Sequence, residues 1–227
     1  MTSRFSALAA TSLVALAALS LTACTSIPMF GPAPAALTGV STTTVPTPTA
    51  TPLVYDSVFS DMGSIHPKVK LANKLELELD MWTEQKTHEW YPDSEKLFSM
   101  VISVFDTNVS ESASFAKKRK VYMSNLTVTA TTTTTSGLVE NPFVMNVNPV
   151  KVTLDPEALR SMKGLLITSP KGGFQLQSNK IGSLAADTTG LVLDFAMTVS
   201  TQAAGGSKNY TTQVIHQMVP VAIFPRS

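Results

Sequence analysis

The chain is 227 residues long with 17 Lys and Arg against 16 Asp and Glu, a near-even balance that argues against nucleic acid as a partner. Charged residues make up only 15% of the chain while 44% is apolar, so much of the polar surface must come from Thr, Ser, Asn and Gln. A single cysteine excludes any intramolecular disulfide.

The N-terminus is the most specific segment. Arg4 is the only charge ahead of an Ala/Leu/Val-rich stretch from Phe5 to Leu21, after which small residues lead to Cys24. About 17 apolar residues are short of the roughly 20 that a transmembrane helix needs, and no stop-transfer flank follows, so a cleaved export signal over residues 1–23 fits better. The four residues Leu21-Thr22-Ala23-Cys24 resemble the lipobox of bacterial lipoproteins. That resemblance implies diacylglyceryl transfer to the Cys24 sulfur, cleavage before Cys24 and often acylation of the freed amine. Two or three acyl chains hold a protein on a membrane essentially permanently, each buried methylene contributing about 0.8 kcal/mol. By the sorting rule of enterobacterial lipoproteins, Thr25 implies the outer membrane if the cell has one, and otherwise the outer face of the cytoplasmic membrane.

Residues 24–54 hold Pro28, Pro32, Pro34, Pro46, Pro48 and Pro52 among Thr, Ala and Gly, with no charge. Such a segment has no core and favours polyproline II, which predicts a stiffened tether reaching at most about 90 Å. Threonine glycosylation or a partner epitope within residues 41–51 is the alternative to a passive spacer. Residues 55–227 are long enough for one domain with its own core.

Along that domain the pattern is mostly period two. Val69 to Met81 reads apolar at odd positions apart from Asn73, and the even ones are charged apart from Ala72, which predicts one long strand in preference to a helix on Leu71, Leu75, Leu79 and Trp82. Leu97 to Phe105 is apolar on both parities, as a central strand should be. Val121 to Thr135 alternates with a slip at Ser124 and Asn125, which predicts a bulge that puts Leu126, Val128 and Ala130 on the face of Val121 and Met123. Phe143 to Val147 and, after Pro149, Val150 to Leu154 read as two strands joined at a corner. Asp155, Pro156 and Gly164 are cap, first-turn and exit residues of a short helix. Ser169-Pro-Lys-Gly-Gly173 reads as the turn of a hairpin between Leu165–Thr168 and Phe174–Gln177, and Ala203–Ser207 as the turn between strands starting at Leu191 and Tyr210. Pro220 places the last strand at an edge or bulge. Seven to nine strands with little helix predict a mainly β fold: an antiparallel β-sandwich, or alternatively a small closed barrel, with one or two short helices. An outer-membrane barrel would need aromatic girdles, and aromatics are only 7% of the chain.

No catalytic set emerges, and the expectation is no cofactor, no metal and no catalytic residue. Ser114 and Lys117 have Ser-x-x-Lys spacing without the companion elements of penicillin-recognising enzymes. His66, His88 and His216 lack metal-ligand spacing, a folded cluster with Asp61 or Glu89 being their one route to a site. Glu76, Glu78 and Asp80 read as the wet face of a strand. Two features remain as candidate sites. Trp82, His88, Trp90 and Tyr91 crowd one connection, and amphipathic aromatics on a loop suit a partner contact or fold back as a satellite core. Lys117-Lys118-Arg119-Lys120 suits an anionic surface or a solvated corner. The expected function is a lipid-anchored, non-enzymatic envelope protein, an accessory or scaffolding subunit of a surface, pilus or secretion-type assembly with an envelope protein partner. A lipoprotein binding lipid, glycan or solute, or a cell-wall or glycan hydrolase, are the alternatives.

Overall fold

Period-two alternation with β-branched residues builds the frame, and the longest alternating runs form its longest strands. The computed structural model describes residues 59, 62–72, 74–85 and 87–226. The export signal 1–23, Cys24, the tether 24–54 and Asp61 lie outside the described residues, as does the domain's expected start at residue 55.

Among the described residues, eleven strands occur in the order β1 (Ser64–Ile65), β2 (Lys68–Ala72), β3 (Leu75–Trp82), β4 (Lys96–Asp106), β5 (Val121–Thr134), β6 (Phe143–Val147), β7 (Arg160–Ser161), β8 (Gly164–Leu166), β9 (Phe174–Ile181), β10 (Thr188–Gln202) and β11 (Tyr210–Ala222). They form two antiparallel sheets. In sheet A, β1 and β2 share one edge of β3, followed by β4 and β9; in sheet B, β11, β10 and β5 are adjacent, and the far edge of β5 is shared by β6 and β8, with β7 beyond β8. The sheets stay separate, so the fold is a β-sandwich and the small closed barrel does not form.

One core unites the inner faces of both sheets. Leu75, Leu77, Leu79 and Met81 of β3 and Phe98, Met100, Ile102 and Val104 of β4 meet Leu191, Leu193, Phe195, Met197 and Val199 of β10. Phe98 and Phe195 pack edge to face at 6.4 Å. Full burial of each such side chain contributes about 1.5–3 kcal/mol, so the parity of these strands is fixed by the core.

The bulge expected in β5 is present. Thr198 pairs with Asn125 and the next residue, Val199, pairs with Met123, leaving Ser124 as the extra residue. Val121, Met123, Leu126, Val128 and Ala130 are all buried on one side as a result. The β10–β11 hairpin runs in unbroken register from Gln202–Tyr210 to Gly190–Ala222, and Pro220 lies on the edge strand of sheet B.

Four expectations are corrected. Val69 to Met81 is not one strand but the hairpin β2–β3, reversing between Ala72 and Leu75 with Lys74 at a φ of +52°. Val150 to Leu154 is not a strand: Pro149–Val152 is a helical turn, capped by Asn148, whose Oδ1 accepts from the Val150 N–H at 3.0 Å. The helix expected from Asp155 is reduced to a turn in which Asp155 Oδ1 accepts from the Glu157 N–H at 2.9 Å. Finally, Leu165–Thr168 and Phe174–Gln177 do not pair as a hairpin. Leu166 pairs with Tyr122 in sheet B and Phe174 with Ile102 in sheet A, so Ser169–Gly173 carries the chain across the corner of the sandwich.

Candidate functional site

The end of β3 and its connection to β4 hold the four aromatic candidates, and they divide. Trp90 is 1% exposed, packs edge-on against Phe59 with ring centroids 5.1 Å apart, and aims its indole N–H at Thr83 Oγ1, 3.4 Å away. Its carbonyl accepts from the Phe224 N–H at 3.1 Å, and the Pro92 carbonyl accepts from the Leu184 N–H at 2.7 Å. His88 is exposed and stands edge-on to Phe224 at 4.9 Å. Tyr91 is half-buried beneath the Arg226 guanidinium, 5.2 Å from the ring centre. Trp82, the last residue of β3, is half-buried. The loop is thus a plug that holds the C-terminal segment, with Trp90 inside it.

Lys96 anchors that plug. Fully buried, its ammonium donates to the carbonyls of Ser94 at 2.6 Å and of Pro92 and Gly182 at 3.2 Å. Burial pushes its pKa down from 10.5 to about 8, opposed by the Asp93 carboxylate.

The basic run also divides. Lys117 is exposed at the end of a 3-10 turn, Phe115–Lys117, and Lys118 turns inward. Arg119 donates Nε to Asp106 Oδ2 at 3.0 Å and Nη2 to Asp106 Oδ1 at 2.7 Å, while its Nη2 also reaches the Lys74 carbonyl at 2.9 Å. Lys120 is half-buried, with its backbone N–H donated to Gln202 Oε1 at 2.9 Å. The four side chains do not share one basic face. Ser114 and Lys117 are both exposed, and among the described residues no hydrogen bond joins the Ser114 hydroxyl to the Lys117 ammonium.

The three histidines lie on separate elements. His66 Nδ1 meets Asp80 Oδ1 at 2.5 Å on the outer side of sheet A, and His216 Nδ1 meets Asp194 Oδ2 at 3.0 Å on the outer side of sheet B. Among the described residues, His66, Glu78 and Asp80 form the one group able to offer a cation three ligand atoms within 4.8 Å of one another. Glu78 also belongs to a cross-strand rung: Lys68 stands opposite Glu78 and Lys70 opposite Glu76, with the Lys68 ammonium 3.5 Å from Glu78 and 3.4 Å from Glu76. Alternation along Val69–Met81 shows the charges but not their pairing, because the parity is the same on both sides of the reversal after Ala72.

The outer face of sheet B has a different chemistry. Val144, Thr129, Asp194 and Met218 stand side by side across β6, β5, β10 and β11, as do Asn146, Thr127, Ala196 and His216. Thr131, Val192 and Pro220 continue the face on one side and Asn125, Thr198 and Val214 on the other. Within these rows the Asp194–His216 pair is the only place where a charge can reside, while Val144, Val214 and Met218 are 65%, 59% and 61% exposed. The sequence hint was the alternation of Thr127, Thr129 and Thr131 with buried residues.

Two of the grooves among the described residues flank the sandwich at its edges. One, of about 470 Å³, lies where the β1 and β11 edges meet and is lined by Phe59, Met62, Ile65, Met218 and Pro220. The other, of about 620 Å³, is lined by Phe105 of β4, Glu76 and Glu78 of β3, Glu111 and Lys118. Among the described residues, no helix is long and apolar enough to cross a membrane. Comparison with protein-family models, with curated proteins and with solved structures finds nothing that matches the chain.

Proposed function

We propose that the chain is a lipid-anchored envelope protein without enzymatic activity, an accessory or scaffolding subunit that docks another envelope protein on the outer face of sheet B. The observation that carries the reading is the composition of that face: one central Asp194–His216 pair surrounded by Thr, Asn, Ala, Val and Met, with Val144, Val214 and Met218 well exposed. Depletion of charge with retained apolar and methionine side chains is the compositional mark of an interface core, whereas an ordinary solvated face resembles the charged rungs on sheet A. The lipobox supports delivery: Cys24 would carry the anchor, the Pro/Thr-rich tether would set the reach, and Thr25 favours the outer membrane where there is one.

The test is affinity purification of the full chain from crosslinked envelopes. One dominant protein should be recovered with the wild type and lost with the double substitution Val214→Lys and Met218→Asp, the melting temperature staying within a few degrees. Equal recovery with the variant, or no protein above background with the wild type, would sink the docking reading. Incorporation of labelled palmitate that disappears in Cys24→Ala tests the anchor separately.

A further inference from the structure

We propose that the free edge of β11 pairs antiparallel with β11 of a second copy of this chain, joining two B sheets into one. Which backbone groups face that edge follows from the bonds at the two ends of the β10–β11 ladder. The Ile223 N–H donates to the Thr189 carbonyl at 3.1 Å, and the Ala203 N–H to the Asn209 carbonyl at 3.0 Å. Both bonds keep the register of the unbroken ladder between them, so odd residues of β11 turn their backbone groups to β10 and even ones turn theirs outward. Thr212, Val214, His216 and Met218 thus present N–H and C=O groups to the free side. Among the described residues no strand pairs there, and the Met218 carbonyl is met only by the side-chain amide of Gln217. Pro220 has the same parity, so the donor it lacks would have pointed outward and the β10 ladder loses nothing.

The other edges are blunted against such pairing. β2 is five residues long and carries Lys68 and Lys70. β9 carries Lys180, shifts register against β4 between Phe98 and Met100, and has its Gln175 carbonyl taken by the Leu154 N–H at 3.2 Å. β1, β6 and β7 run for two, five and two residues. β11 instead runs for 13 residues with no bulge and no Asp, Glu, Lys or Arg, interrupted only by Pro220 near its end. That composition also selects the occupant. A strand meets its own copy across a two-fold axis perpendicular to the sheet, so a charge on it would stand near its duplicate. On β2 this would bring lysine to lysine. On β11 it brings together Thr, Val and Met, and the charge of His216 is answered by Asp194 Oδ2 at 3.0 Å on the outer face. Even residues of one copy oppose even residues of the other, so outward donors meet outward acceptors. The axis leaves both outer B faces open on the same side, so edge and docking face are separate surfaces and the two proposals fail separately.

Disulfide trapping of the full chain in detergent tests the pairing, with Thr212→Cys, Val214→Cys, His216→Cys and Met218→Cys made singly and the unsubstituted chain, whose one cysteine is Cys24, as background. The yield of covalent dimer should peak at one of these positions or two neighbours, several-fold above Val144→Cys, which lies on β6 across sheet B. Sedimentation of the unsubstituted chain should show a dimer. Val214→Pro, which removes an outward donor and no bond to β10, should convert it to monomer, while Val144→Lys, on the docking face but away from the edge, should not. The cysteine series gives the reading if Val214→Pro does not fold. A monomeric wild type, trapping no greater on β11 than at Val144→Cys, or a dimer unaltered by folded Val214→Pro would overturn the proposal. So would crosslinks from β11 to a different protein in whole envelopes in place of the self-dimer, which would assign the edge to a partner's strand.

Discussion

Arg119 clasps Asp106 with two parallel N–H donors, Nε at 3.0 Å and Nη2 at 2.7 Å, and adds its own backbone N–H to Asp106 Oδ2 at 2.8 Å. The pair ties the end of β4 to the entry of β5, which belong to different sheets. With the Asp106 side chain 2% and that of Arg119 12% exposed, removing one partner strands the other, which costs about 3–5 kcal/mol. Asp106→Asn should therefore lower the urea midpoint strongly at pH 7. Burial alone would raise the Asp106 pKa, but the hydrogen bonds and charge of Arg119, with the Asn108 N–H, outweigh it and hold the carboxyl below its usual 3.8. A depressed folded-state value means that this stabilisation is complete above pH 3.8 and is lost as pH falls through the lower value. Urea midpoints at pH 7 and pH 3 should thus differ less in Asp106→Asn than in the wild type.

Lys96 gives the opposite limb. Its folded pKa of about 8 lies below 10.5, so between these values the unfolded chain holds more protons and stability gains with rising pH. The gain is at most about 3 kcal/mol, reduced by the three carbonyls that favour the charged form. Chemical denaturation at pH 7.5 and pH 10.5 should show a positive increment in the wild type relative to Lys96→Met. Parallel pH dependence in the two proteins would contradict the assignment.

Gly164 lies at a φ of +119° against the β5 bulge, and a Cβ placed there would come within 2.2 Å of the Met123 carbonyl oxygen. Both atoms nearest to it are backbone, so no side-chain rotation relieves the clash. Gly164→Ala should lose about 3 kcal/mol or more, combining strain at positive φ with displacement of β8 from β5. Thermal melting of Gly164→Ala beside Gly137→Ala, where nothing lies within 4 Å of the added Cβ, separates the clash from backbone strain.

Trp90→Ala should cost about 3–5 kcal/mol, because it opens a cavity beside Phe59 and loosens the loop that holds Phe224. His88→Ala, which removes an exposed ring standing edge-on to Phe224, should cost less, about 0.5–1.5 kcal/mol. A loss of partner on Trp90→Ala would therefore report folding rather than contact, and Trp82→Ala is the informative aromatic variant for a surface role.

The legible parts of the fold were those where a strand's own burial pattern carries the information. Ser124 announced its bulge because a parity slip leaves no other way to keep Val121, Met123, Leu126 and Val128 on one face. The β2–β3 hairpin was hidden for the converse reason. After the irregularity between Lys70 and Ala72, the pairs Lys70–Glu76 and Val69–Leu77 join residues of equal parity, so the alternation runs unbroken through the reversal. Ser169–Gly173 is legible as a turn, yet a turn does not state whether its two strands pair with each other or join different sheets. In the candidate sites, neighbours in sequence shared little in space. Lys118 and Arg119 enter the fold in different environments, and Trp90 goes to the core while His88 stays out. Only the partners, Asp106 and Phe59 among them, distinguish these fates, and they are remote in sequence.

The Phe59–Trp90 ring pair gives the domain a defined response to force. If the chain is held from its N-terminal side, a pull enters at Phe59, whose carbonyl also accepts from the Gly63 N–H at 3.0 Å. The load then meets an interlocked aromatic pair before it reaches β1, a strand with only two rungs on β3. Trp90 in turn is latched to Phe224, so tension arriving at one end of the domain is shared with the other. Under such a pull the sandwich would yield by extraction of Phe59 and unzipping of β1, while the long β5–β10–β11 ladder kept its shape.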